Sequence, residues 1–165
     1  MIGPIVVRIA GAAGAVAALL VAGAAQAQPA ATARDAAALK ACLEQQEWRA
    51  ANLGHACIGI VANPCMAAAE HDTAKSSACA DRERVVWQAE LEAALRGVRR
   101  GGFKEITEQV AQSQKSWEAS LRTLCPIFGK IEPGTLPGDA ATCTLVETAS
   151  RALLLRRLAW AVNEH

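Results

Sequence analysis

The sequence predicts a small all-α protein, a disulfide-stapled bundle of about four helices packed as αα-hairpins. Three observations predict it. Apolar residues recur at helical spacing in four segments, no segment alternates apolar and polar residues as a half-buried strand would, and six cysteines follow an apolar leader. With 165 residues the chain makes at most one ordinary domain. Its apolar share of 52% is inflated by alanine, since aromatics are only 4% and tyrosine is absent.

The leader sets the compartment. MIGPIVVR carries one early charge, Arg8; residues 9–25 are almost wholly apolar; and Ala25 and Ala27 flank a cleavage point. That order reads as a signal peptide, residues 1–27, cut after Ala27. The alternative is a retained anchor, because about 17 apolar residues is the lower edge of a membrane span; alanine and glycine contribute little to insertion, so cleavage is expected. The mature protein is then expected in the periplasm or outside the cell, with no membrane attachment. Cleavage removes Arg8 from 17 basic residues and no acid, leaving 16 against 16 acidic. A neutral chain without a basic tract has no electrostatic footprint for nucleic acid or anionic lipid.

Residues 28–34 (QPAATAR) read as a flexible lead-in, and 35–165 as a single helical domain. Asp35 is the expected N-cap of a first helix that carries Leu39, Cys42, Leu43 and Trp48 and ends near Gly54. Residues 55–78 read as irregular, broken at Asn63-Pro64, with at most one short helical turn. A long helix follows with Cys79, Val86, Trp87, Leu91, Ala94, Leu95 and Val98 on one face, stopped by Gly101-Gly102. The next has the cleanest stripe: Phe103, Ile106, Val110, Gln114, Trp117, Leu121 and Leu124, with Pro126 closing it. Three prolines and three glycines make 126–138 a loop, after which Asp139 is expected to cap a last helix with Val146, Ala149, Leu153 and Leu158 inward. Trp87 and Trp117 are expected in the core. Arg96, Arg99 and Arg100, with Lys104 beyond, are expected to complement the carbonyl end of their helix rather than form a partner patch.

In an oxidising compartment Cys42, Cys57, Cys65, Cys79, Cys125 and Cys143 should pair. Six cysteines allow 15 pairings. Cys125 ends one helical pattern and Cys143 lies one turn into the next, so an antiparallel hairpin brings them level. Cys65 with Cys79 and Cys42 with Cys57 are the sequential remainder. The last is the weakest, because Cys42 lies about 16 Å before the end of a helix that runs to Gly54. Metal is the competing reading of His55, Cys57, Cys65, Met66, His71 and Cys79, but no C-x-x-C or other paired ligand spacing supports it. Catalysis has no support either. There is no G-x-S-x-G, no glycine-rich phosphate loop and no H-E-x-x-H, so no catalytic residue, metal or cofactor is expected.

The run CIGIVANPC, then Cys79, Glu83, Trp87 and Leu91, resembles the first half of the lysozyme inhibitor LprI N-terminal-like family. Gln114-x-x-Trp117, Cys125, a glycine-rich loop and Cys143-x4-Thr148-x-x-Arg151 resemble its second half, so the likeness covers residues 55 to 155. The resemblance implies an exported, helical, disulfide-bonded protein that binds or inhibits a protein partner, with a lysozyme the expected target. It gives Glu83, Trp87, Leu91, Gln114, Trp117, Thr148 and Arg151 structural roles; helical placement suggests interhelical hydrogen bonds for Gln114, Thr148 and Arg151. The family commonly has other residues at Gln88, Glu92 and Leu95, and a Tyr-Arg-Asp where Ser120, Leu121 and Arg122 stand, which weakens transfer of the inhibition. The expected contact is the tied loop with Lys130, Glu132 and Thr135. Two rivals are an envelope-stress or structural interaction protein that inhibits nothing, and a metal-binding protein using His55, His71 and Met66.

Overall fold

A computed structural model describes residues 30–46, 54–131 and 139–164. The expected signal peptide, Trp48, Glu132, Thr135 and His165 lie outside them. The described residues form α1 (Ala33–Gln45), a 3-10 turn (His55–Cys57), a short α2 (Ala62–Ala67), then α3 (Thr73–Arg100), α4 (Lys104–Ile131) and α5 (Asp139–Asn163), with no strand among them. The four expected helices are there, and α2 is additional.

Thr32, not Asp35, caps α1. Extended backbone lets its Oγ accept from the Asp35 N–H at 3.2 Å, while the Asp35 carboxylate accepts from the Thr32 N–H at 2.8 Å. Being inside the helix frees Asp35 for a second task. It is buried and takes Arg82 of α3 in a two-pronged pair at 2.8 and 2.7 Å. The helix also stops at Gln45 rather than near Gly54. Cys42 therefore lies about 4.5 Å from the helix end, which removes the geometric objection to a Cys42–Cys57 bond. That bond is present, as are Cys65–Cys79 and Cys125–Cys143.

The stretch from 55 to 78 is far more regular than expected. Pro64 sits in the first turn of α2, where a missing N–H has no helical partner to lose. The first donors of α2, at Val61 and Ala62, and one from the turn before it are satisfied from another helix. Glu83 on α3 is fully buried, and its carboxyl accepts from the N–H groups of Gly59, Val61 and Ala62 at 2.7–2.8 Å and from Trp87 Nε1 at 2.9 Å. Gly59 makes this possible. Its φ is +95°, and a Cβ there would run into the Asn63 side chain. After α2 the chain turns through Glu70 and His71, both with positive φ, and Asp72 caps α3 through the Lys75 N–H at 3.0 Å.

Cys79, Glu83, Trp87, Leu91, Ala94 and Val98 form the buried face of α3. Its main partner is α5, which packs along it so closely that a Cβ on Gly97 would lie 2.8 Å from Ala159 Cβ. Because α5 has α3 on one side and α4 on the other, it buries more than one stripe. Leu145 and Leu155 are inside with Ala149 and Leu153, while Val146, expected inward, is 39% exposed. Leu158 is partly buried against the core, and Asp139 is the first residue of the helix.

Two expectations for α4 fail. Pro126 does not close it; the helix runs on to Ile131. The proline forfeits one hydrogen bond, to the carbonyl of Arg122 on an exposed face where water serves, and Cys125 beside it is fixed to α5. Nor is the apolar stripe of α4 inside. Only Gln114 and Cys125 are buried; Val110 and Trp117 pack against the core, and Leu124 is 54% exposed.

Replacing Glu83 with Ala leaves four donors without an acceptor in a dry site, and Gln would set an amide donor against them. Either change should cost at least about 3 kcal/mol in guanidinium unfolding with disulfides intact; a loss below about 1 kcal/mol refutes the assignment. Acid tests a second contact. Arg82 holds the Asp35 carboxyl down at about 2 from the ordinary 3.8. A depressed folded value gives stability that is complete above about pH 4 and lost as pH falls towards 2. With Arg82 30% exposed, screening should limit that loss to about 1–2 kcal/mol. Asp35→Asn should remove this pH dependence.

Candidate functional site

All six cysteines are in disulfides, His55 and His71 are exposed, and no group of three or more His, Cys, Asp or Glu is placed to hold a metal among the described residues. The better candidate is the hairpin of α4 and α5. At its middle, Arg151 of α5 donates from Nε to Gln114 Oε1 and from a terminal nitrogen to Ser113 Oγ, both at 3.0 Å, and lies 5.9 Å from the Trp117 ring centroid. Partial burial lowers the Arg151 pKa from its ordinary value. The guanidinium thus holds Trp117 and α4 in place with neutral acceptors. Thr148 departs from the expectation of an interhelical bond, because its hydroxyl donates to the Thr144 carbonyl one turn back in its own helix, at 2.7 Å.

Toward the far end the helices part around an apolar groove of about 410 Å³. Trp117, Leu121, Leu124 and Phe128 line it from α4, Glu147 lines it from α5, and the Cys125–Cys143 bridge contributes both its cysteines. The periodicity predicts the upper stripe but not the groove, because the prolines and glycines of 126–138 put Ile127, Phe128 and Ile131 in a predicted loop. They continue the spacing of Leu124 across Pro126, the signal that could have found it. Lys130 is likewise in the last turn of α4, exposed, and not in a loop.

A second cleft, about 350 Å³, lies among α1, α3 and α5 near Gly97 and Trp160. Arg156 and Glu90 on its wall already pair at 2.8 Å, and its rim at Gln46 and Gly54 borders the undescribed residues 47–53. Among the positions that differ from the family pattern, Gln88 and Glu92 bond each other on the exposed side of α3, Leu95 packs against the core, Ser120 and Leu121 line the groove, and Arg122 is exposed.

The family model described as lysozyme inhibitor LprI matches residues 65–155. The chain belongs to the LprI family. The match takes in the Cys65–Cys79 and Cys125–Cys143 bonds, Glu83, Gln114, Trp117 and Arg151; α1 and the Cys42–Cys57 bond lie outside it. No curated protein and no solved structure matches. Membership of LprI means a family of inhibitors rather than enzymes, and inhibition of lysozyme implies a protein partner. No described helix is long and apolar enough to cross a membrane.

Arg151→Lys keeps the charge but loses the fork and the stacking on Trp117. It should destabilise the oxidised protein by about 1–2 kcal/mol and alter tryptophan fluorescence, whereas Arg122→Lys on the exposed face should do neither.

Proposed function

We propose that this LprI-family protein is an exported inhibitor that binds a lysozyme. The observation that carries the reading is family membership in a chain whose helices are tied by three disulfides, bonds that belong to oxidising compartments. The apolar leader ending at Ala27 supports export, with 28–34 a lead-in and 35–165 the working domain.

The inhibitory contact is placed at the far end of the α4–α5 hairpin. Lys130 stands exposed in the last turn of α4, and Glu132 and Thr135 follow in the connection to α5. The Cys125–Cys143 bond closes the base of this tip, so ordering it against a partner costs less entropy than ordering a free loop. A cation at Lys130 suits the carboxylates of a glycosidase cleft. The exposed apolar groove beside it serves a second reading equally well, a module that binds envelope proteins without inhibiting any enzyme.

Titrating oxidised residues 28–165 against lysozymes of the chicken, goose and invertebrate types, with lysis of cell-wall suspensions as readout, separates the two. Stoichiometric inhibition of one type is expected, and none at large excess sinks the inhibitor reading. Lys130→Ala with Glu132→Ala should then raise the inhibition constant about 10-fold, the effect of losing one good charged contact.

A further inference from the structure

We propose that the groove between α4 and α5, beside the tip at Lys130, is a second contact surface for the same protein partner, receiving an apolar side chain flanked by a basic group that pairs with Glu147. The inference rests on the inhibitor reading for the identity of the partner, and on the groove itself for the mode of contact.

Four observations converge on one place. First, the exposed apolar side chains of α4 are gathered, not scattered: Leu124 is 54% exposed, Phe128 50% and Ile131 68%, with Ile127 between them. A contiguous apolar patch on a soluble protein marks a contact surface. Second, the patch is concave. About 410 Å³ lies between its walls, within the range of about 300–1,000 Å³ for pockets that hold a ligand group. Third, the walls are fixed before binding. The Cys125–Cys143 bond joins the two helices within the groove, and Arg151 holds the Trp117 ring at its inner end through Gln114 and Ser113. A rigid receptor loses little conformational entropy when it is filled.

The fourth observation gives the occupant its charge. Among the described residues Glu147 is the only charged one lining the groove; it is exposed, and its side chain makes no hydrogen bond or ion pair with them. On α5 it stands one turn from Cys143 and one turn from Arg151, about 6 Å from each along the axis. Arg151 donates to Gln114 and Ser113 on α4 and forms no ion pair with Glu147 among the described residues, which leaves the Glu147 charge unanswered. An apolar anchor entering the groove would bring its neighbours within reach of that carboxylate, and a Lys or Arg beside the anchor completes the pair. A charge contact at the edge of an apolar socket gives orientation and specificity more than affinity.

Three proteins decide it: the oxidised wild type, Leu124→Asp and Glu147→Gln. Both changes are at exposed positions, and unchanged circular dichroism and melting establish that each variant folds. Against the lysozyme that the wild type inhibits, Leu124→Asp should raise the inhibition constant at least 100-fold and Glu147→Gln about 10-fold. Wild-type inhibition by Leu124→Asp overturns the proposal. A second readout does not depend on lysozyme: tryptophan fluorescence during titration with a synthetic amphipathic helix of leucine and lysine. If the wild type inhibits no lysozyme yet binds this peptide, and both variants bind it at least 10-fold more weakly, the groove stands and the inhibitor reading falls. Equal peptide binding by all three proteins, or none by the wild type together with no inhibition, overturns the groove. A dimer of the wild type by sedimentation that Leu124→Asp dissociates would assign the groove to a second copy, and also overturns it.

Discussion

The Glu83 carboxyl organises the part of this molecule that hydrophobic burial alone could not. Between Gly54 and the start of α3 the chain passes through a 3-10 turn and the short α2, and the start of α2 presents N–H groups that no helical carbonyl can accept. Buried without partners, each would cost about 1–3 kcal/mol. Glu83 takes two of them, at Val61 and Ala62, with the Gly59 N–H of the preceding turn and the Trp87 indole, from a single position on the face of α3 that also carries Trp87 and Leu91. The consequences spread outward. With residues 59–62 fixed, Cys57 is placed for Cys42 and Cys65 for Cys79, so both α1 and α2 are tied to the frame that Glu83 sets. The Asp35–Arg82 pair then closes α1 onto α3 directly.

The two halves of the fold are held by different means. Along α3 and α5 the helices meet tightly, with Trp87, Ala149 and Ala152 fully enclosed and no room for a side chain at Gly97. By contrast, α4 leans on α5 through two buried residues, a polar tie at Gln114 and Arg151, and a disulfide. Each disulfide closes a loop of 14 to 18 residues, for which chain entropy gives roughly 3 kcal/mol. That is comparable to burying one or two large apolar side chains. For α4, which buries so few, the bond to Cys143 is a principal part of what keeps it in place.

The fold class and the four main helices were legible because their signals are local: helical spacing of apolar residues, a glycine pair at the end of α3, prolines and glycines before α5. What failed depended on contacts distant in sequence. Asp35 has the residue type of a cap, and only the presence of Arg82, 47 positions away, gives it a further role. Pro126 is a helix breaker by local chemistry, and a disulfide at the preceding residue changes the outcome. Val146 and Leu145 cannot be ranked by one stripe when a helix is covered from two sides. Glu83 entered the sequence reading through family resemblance alone, since a buried acid gives no pattern of its own. The groove was half legible: its α4 wall lay in the predicted stripe, read as core because an apolar stripe ordinarily finds a helix to cover it.

A 28-residue amphipathic helix that buries only Gln114 and Cys125 carries more apolar surface than its own packing uses. The surplus is concentrated at one end, beside a disulfide that stiffens the hairpin, and it works against solubility. Leu124, Ile127, Phe128 and Ile131 are each between 44% and 68% exposed, so each leaves much of its apolar surface unused by the packing of the fold. The α1–α3–α5 frame therefore accounts for why the protein folds, and the uncovered face of α4 accounts for what a folded protein of this kind is able to hold.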